Sequence, residues 1–196
     1  MFKGLLRQYG IDPDRYDITF IPASGELNAK FPYALASKLK IPFLCILDRD
    51  VFQNYLKDKR KDSLGADGFP QFKETLKANT FWIGLFSDDE REEILQLLCQ
   101  DKYSNFYAAI SKKNILPMHY SLEVDLVENE FTREKLFKVL KVPSNQKSTE
   151  ALLIQRGKRI KNIEVMAKAL NGVPRRNLPA SYRKILHDIE MMVKRR

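Results

Sequence analysis

An α/β fold, a parallel sheet with a helical insertion and a basic helical C-terminal region, is predicted by three features of the 196-residue sequence. The first is a strand-like, a helix-like and a second strand-like segment within about 30 residues, the pattern of a βαβ unit with a right-handed crossover. The second is "FLCIL" at 43–47, which is apolar throughout where a half-exposed strand would alternate, as expected for a strand covered on both faces. The third is charge asymmetry. Residues 131–196 hold 17 Lys/Arg against 5 Asp/Glu, whereas the whole chain holds 34 against 25.

The elements follow in order. "FKGLLRQY" at 2–9 reads as a short helix stopped by Gly10, and a polar turn follows. The β-branched and aromatic run at 18–21 reads as a strand, ended by the loop at 22–25. Residues 28–40 carry Phe31, Leu35 and Leu39 four apart, one face of a helix whose first turn accommodates Pro32. The apolar strand at 41–47 comes next. A charged helix-like stretch covers 52–61, a Gly-containing loop covers 65–70, and helical patterning dominates 71–113, with "DDEREEILQLL" placing acids in a first turn. "ILPMHY" at 115–120 reads as a strand leading into "SLEVDL". Helices are predicted at 132–141 and 148–170, and after the break at Gly172-Val173-Pro174 a basic helix closes the chain. These elements form an α/β core at 1–130, with a helical insertion at about 71–113, and a basic helical part of the same domain at 131–196.

With 44% hydrophobic and 30% charged residues, the chain has the composition of a folded globular protein. No signal-peptide pattern and no apolar run of about 18 residues is present, so a cytoplasmic location with no membrane partner is expected. Cys45 and Cys99 lack metal-ligand spacing and read as core residues of a reducing compartment. The basic region suggests a polyanionic partner. Nucleic acid fits better than a membrane, because no strongly apolar helix face accompanies the charge.

The apolar strand stops on Asp48-Arg49-Asp50. In open parallel sheets ligands bind beyond the carboxyl ends of strands. On an extended backbone two acids two residues apart project to one side, where they repel unless a cation or a proton lies between them. A metal site for a hard divalent ion is one reading. A strand-ending turn with solvated aspartates is the other. Glu123 and Asp125 in "SLEVDL" repeat the spacing after the next strand, and two such pairs could surround one or two ions suited to phosphodiester cleavage. Glu128 and Glu130 read as the exposed start of a helix. The cluster "QRGKRIKN" supplies Arg156, Lys158, Arg159 and Lys161: one lysine could offset charge on a phosphate, while the others contact a nucleic-acid backbone or coat a helix. His119 and His187 lack ligand-like spacing.

The order of these segments resembles the Toprim catalytic domain of the overcoming-lysogenization-defect (OLD) family nucleases, in which it follows an ABC-type ATPase domain. The resemblance implies a Toprim-like, Rossmann-like fold and metal-dependent DNA cleavage with Mg or Mn. "IPASGELNAKF" is similar to the family's glycine loop, with Gly25 in the glycine position. "ILDRD" is similar to its D-x-D motif, which implies metal binding by Asp48 and Asp50. "SLEVDL" is similar to its later acidic motif, which implies that Glu123 and Asp125 join the same centre. A C-terminal lysine assists catalysis in the family, and Lys161 and Lys158 are the candidates here, with Arg156 and Arg159 expected on nucleic acid. The ending "RRNLPASYRKIL" is also similar. DNA, an ATPase domain or subunit encoded upstream, and a homodimer are the implied partners, and phage defence is the implied setting.

One departure matters. The family's first strand ends in a glutamate, and here Met1 falls within what would be the following helix, with no glutamate before Glu26. The expectation is a C-terminal part of a longer or split nuclease, with an unpaired strand edge and weak or no nicking on its own. No Gly-x-x-x-x-Gly-Lys loop is present, so no ATP site is expected in this chain. The alternatives are a haloacid-dehalogenase-type phosphohydrolase using Asp48, and a non-catalytic remnant that binds DNA or a partner.

Overall fold

The computed structural model describes residues 1–23, 25–78 and 80–194. Its elements, in chain order, are α1 (Phe2–Gln8), α2 (Glu26–Lys38), β1 (Cys45–Leu47), β2 (Gln53–Tyr55), β3 (Phe72–Leu76), α3 (Asp88–Cys99), α4 (Tyr103–Ser111), β4 (Ile115–Pro117), α5 (Leu122–Glu128), α6 (Glu130–Val139), α7 (Gly157–Ile160), α8 (Ile163–Leu170) and α9 (Ala180–Lys194). The fold is α/β, with a small parallel sheet among many helices. The chain divides into two compact units: residues 22–64 with 70–121, and residues 1–21 with 65–69 and 122–196.

In the first unit β1 pairs with β4 in parallel, Cys45 opposite Ile115, Ile46 opposite Leu116 and Leu47 opposite Pro117. β2 and β3 form a separate antiparallel pair. The core gathers Ala29 and Tyr33 of α2, Leu47, Phe52, Trp82, Ile94 and Leu98 of α3, and Phe106 and Ile110 of α4 around Ile115. α3 starts where Ser87 and Glu90 exchange side-chain and backbone hydrogen bonds as a capping box, as its acid-rich first turn suggests.

Four expectations fail here, the first in the segment that closes the N-terminal stretch of the other unit at Ile21. Residues 18–21 form no strand, with Thr19, Phe20 and Ile21 exposed, so the β1 partner is β4 and not the segment before α2. The "FLCIL" run is half-buried apart from Leu47, and among the described strands β1 pairs with β4 alone. Residues 52–61 hold β2 and a 3-10 turn, not a helix. Within α2, Pro32 lies in the second turn and not the first, since the helix begins at Glu26. Ser24 of the preceding loop lies outside the described residues.

The second unit is helical. The buried face of α9 presents Tyr182, Ile185, Leu186 and Ile189 at one-turn spacing, and Phe2 of α1 stacks on Tyr182 with ring centroids 5.7 Å apart. Tyr9 Oη and Gln8 Nε2 donate to the Val173 carbonyl, and the Gly172 amide returns a bond to Gln8 Oε1, which ties α1 to the loop after α8. Gly172 sits at φ +67, where a side chain would strain the backbone. The single helix expected over 148–170 is broken into a π-helical turn at Ala151–Gln155, α7 and α8, with Asn162 capping α8. Gly157 and Asn162 are the residues at which helical propensity drops.

Cys45 is half-buried and Cys99, the last residue of α3, is exposed, contrary to the core position expected for it. Burial pushes the Cys45 thiol up to about 12. Iodoacetamide at about pH 8 is therefore expected to label Cys99 in the folded chain and Cys45 only in denaturant, with peptide mass analysis as the readout.

Candidate functional site

Asp48 directly follows β1 at the carboxyl end of the parallel pair, as expected, and precedes a 3-10 turn at Arg49–Val51. Asp50 therefore lies in a turn, not on an extended backbone. The argument that two extended residues project to one side does not hold for it. Asp50 Oδ2 accepts a hydrogen bond from Tyr55 Oη on β2 at 3.2 Å. Burial, reinforced by the charge of Asp50, raises the Tyr55 hydroxyl well above its ordinary value, so it stays a donor.

The residue between the acids is the anchor of this turn. Arg49 is 8% exposed. Its Nε donates to Gln53 Oε1 at 3.0 Å, its Nη2 to the Leu98 carbonyl at 3.1 Å, and its Nη1 to Asp101 Oδ1 at 3.3 Å. The guanidinium carbon lies 4.6 Å from the Phe72 ring centre, and the backbone amide donates to the Tyr120 carbonyl at 2.9 Å. Burial lowers the guanidinium from its ordinary value, and the charge of Asp101 opposes that. Asp101 also receives the His119 Nε2–H at 3.2 Å and sits at φ +51, a conformation that Asp and Asn tolerate best among residues with a Cβ.

The hydrogen bond from His119, ahead of the charges of His119 and Arg49, holds the Asp101 carboxyl below its ordinary value against the opposing effect of burial. Its folded-state value is depressed, so its contribution to stability is complete above the unfolded value of about 4 and is lost as pH falls through the lowered value. Asp101→Asn keeps the backbone conformation. The stability gap between wild type and this variant is expected to close on acidification below about pH 5, measured by urea unfolding across pH.

The second acidic pair belongs to the other unit. "SLEVDL" does not continue a strand: β4 ends at Pro117, and Glu123 and Asp125 lie in the first turn of α5. Acids suit a helix N-terminus electrostatically, but two positions apart on a helix is about 200°, so the two side chains leave the backbone in different directions. Both are buried. Glu123 is 6% exposed, and Asp125 is fully buried and accepts from Ser181 Oγ of α9 at 2.5 Å. Next to Ser181, Tyr182 Oη donates to the Leu122 carbonyl at 2.8 Å, so α9 holds the start of α5 twice.

Lys161 Nζ lies 3.7 Å from Glu123 Oε1. Between the two lysine candidates, Lys161 is the one brought to a carboxylate within this unit, while Lys158 is exposed on α7. Arg159 is exposed as well. Arg156 Nη1 donates to the Ala151 carbonyl and to Gln155 Oε1, both at 3.4 Å, and so closes the π-helical turn. Gly25 caps α2 at φ +101, a backbone conformation that favours glycine.

Arg49, Asp101, Tyr55, Ser181 and Tyr182 were not singled out from the sequence. Their partners are 4 to 60 residues away with no shared motif, and only the position of Arg49 inside the acidic pair marks it. Asp48 and Asp50 offer oxygen donors of the type that Mg²⁺ or Mn²⁺ takes, and Mg²⁺ is commonly held by one or two carboxylates with water and phosphate around it. Among the described residues no group of three or more His, Cys, Asp and Glu gathers as a metal cage. The donors thus fit an ion completed by water and substrate.

Residues 1–50 match the family model described as "Overcoming lysogenization defect protein-like, TOPRIM domain". No curated protein and no solved structure matches the chain. Among the described residues no helix is long and apolar enough to cross a membrane.

Proposed function

We propose that this chain carries a Toprim-type centre for metal-dependent cleavage of DNA phosphodiesters. The observation that carries the reading is the coincidence of the family match, which ends on Asp50, with the end of β1, where Asp48 and Asp50 stand. Asp48 and Asp50 hold the Mg²⁺ or Mn²⁺ ion, which supplies Lewis-acid polarisation of a phosphate oxygen when bound. Arg49 fixes the turn that carries both acids, and the Tyr55 hydroxyl orients the Asp50 carboxylate. Glu123 and Asp125 keep the place of the family's later acidic motif within the other unit, where Lys161 offsets negative charge beside Glu123. Arg156 braces the turn that leads into α7, and Lys158 and Arg159 contact the DNA backbone without reading its sequence. An ATPase domain or subunit, a cytoplasmic location and a role in phage defence belong to the same reading.

Nicking of supercoiled plasmid tests it. Weak nicking at most, requiring Mg²⁺ or Mn²⁺ and lost in Asp48→Asn, is the expected result for the chain on its own. Nicking that survives both chelation and Asp48→Asn would overturn the reading. The exposed cations of α7 favour one second reading, a DNA-binding module without chemistry. Salt-sensitive binding with no metal requirement and no nicking would point there.

A further inference from the structure

We infer that an unpaired DNA strand lies across the carboxyl ends of β1 and β4, its bases stacked on a row of aromatic rings there and its phosphates on the basic loop that follows β2. This names the form of DNA that the proposed centre takes, and it rests on that reading only for the strand's place beside Asp50.

The row is continuous and lies within the first unit. Tyr103 at the start of α4 and His119, two residues past β4, have ring centroids 5.0 Å apart. The next steps are 4.3 Å from His119 to Tyr120, 6.3 Å from Tyr120 to Phe72 of β3, and 5.0 Å from Phe72 to Tyr55 of β2. The last two pairs are close to parallel, at 24° and 28°. The fold fixes the rings in place. Tyr55 and Phe72 are opposed in the β2–β3 register, Tyr103 Oη donates to the Pro117 carbonyl at 2.8 Å, and the Tyr120 carbonyl accepts the Arg49 amide at 2.9 Å. Each of the five residues is half-buried and keeps part of its surface in solvent. Single aromatic side chains are ordinary on a surface, but a contiguous row marks a contact face.

The row ends at the proposed centre, where Tyr55 Oη donates to Asp50 Oδ2 at 3.2 Å. Burial and the charge of Asp50 raise this hydroxyl, Arg60 opposes them and Asp48 reinforces them, so both acids and a cation of the following loop act on one ring. That loop is basic: Lys57, Lys59, Arg60 and Lys61 outnumber Asp58 and Asp62, and the three lysines are exposed. It is also held in shape. Ser63 is 2% exposed, and its Oγ accepts the Lys57 amide and donates to the Lys59 carbonyl, both at 2.9 Å. The Gln71 amide donates to the Ser63 carbonyl at 2.7 Å, which ties the loop to the start of β3.

Rings and cations together select the ligand. A proline-rich peptide could lie on the rings but has no use for the cations, and a duplex offers phosphates but keeps its base faces stacked on one another. An unpaired strand presents both. Stacking accepts any base, so the strand is held without regard to its sequence.

Fluorescence anisotropy of a labelled thymidine oligonucleotide of about 12 nucleotides, and of a duplex of the same length, on the full chain in EDTA tests this. The single strand is expected to bind at least about fivefold tighter than the duplex. Tyr120→Ala is expected to weaken the single strand by about fivefold or more, the loss of one base stack, with duplex binding unchanged and Tyr120→Phe restoring the affinity. Lys59→Gln/Lys61→Gln, at exposed positions, is expected to lower the slope of log Kd against log salt by about 1. An unchanged circular dichroism melt verifies the fold of each variant. A duplex that binds as tightly as the single strand, a Tyr120→Ala chain that binds it like wild type, or an unaltered salt slope in the lysine variant overturns the inference. None of these readouts uses metal or cleavage. Nicking that survives chelation removes the nuclease reading and leaves a ring-dependent preference standing, whereas metal-dependent nicking by a chain without that preference removes this inference alone.

Discussion

Trp82→Ala is expected to destabilise the chain by about 3–5 kcal/mol, the range for removing a large aromatic from a packed core. Trp82 is fully buried and meets Tyr33 and Phe81 edge-on, with ring centroids 5.2 and 5.0 Å away. Alanine would leave a cavity between α2 and the core of the first unit, where Tyr33 also carries the bond to Lys113. The indole Nε1–H has no hydrogen-bond partner among the described residues. Trp82→Phe therefore sacrifices packing volume but no bond, and even removes a desolvated donor. Its expected effect is below about 1.5 kcal/mol. Urea unfolding of the two variants separates the contributions: equal losses would mean that the indole N–H is bonded.

Arg49→Met is expected to lower stability by about 2–4 kcal/mol and to weaken Mn²⁺ binding at least tenfold. The methionine keeps much of the stem but strands the buried acceptor Gln53 Oε1 and takes one of its donors from the Leu98 carbonyl, which keeps the Asp101 amide. Asp101 adds little to that loss, because its side chain is 64% exposed and water replaces the guanidinium. The affinity effect is the more informative one. Arg49 contacts no ion in the proposed centre and acts by fixing the turn between Asp48 and Asp50, so Arg49→Lys, which keeps the charge but not the fork, is expected to restore little. A variant of normal Mn²⁺ affinity with reduced stability would assign Arg49 to folding alone.

What was legible in the sequence had local causes. The end of β1, the acid-rich start of α3, the start of β4 and the basic closing helix α9 each carry their own apolar runs or end signals, and each forms where those signals stand. The segment at 18–21 shows the limit, since β-branched residues make a strand only where another strand is available to pair, and here they stay in solvent. "SLEVDL" misled for a different reason. Val124 and Leu126 alternate with Glu123 and Asp125 as in a strand, yet residues 123–127 are all buried, and a helix buried on every side leaves no polar face to reveal its period. The acids of the candidate site were visible because Asp-x-Asp is a motif. Their supports were not, because Arg49 finds its acceptors at Gln53, Leu98 and Asp101, and Asp125 finds Ser181 across 56 residues of sequence.

Direct measurement of Mn²⁺ binding by calorimetry or electron paramagnetic resonance, on the full chain and on Asp48→Asn, tests the proposed centre with no contribution from turnover. Saturable binding by wild type that falls at least tenfold in Asp48→Asn, with the fold intact by circular dichroism, is the predicted result. Equal binding by both chains, or none by wild type at millimolar Mn²⁺, would contradict the assignment of Asp48 and Asp50 as ligands.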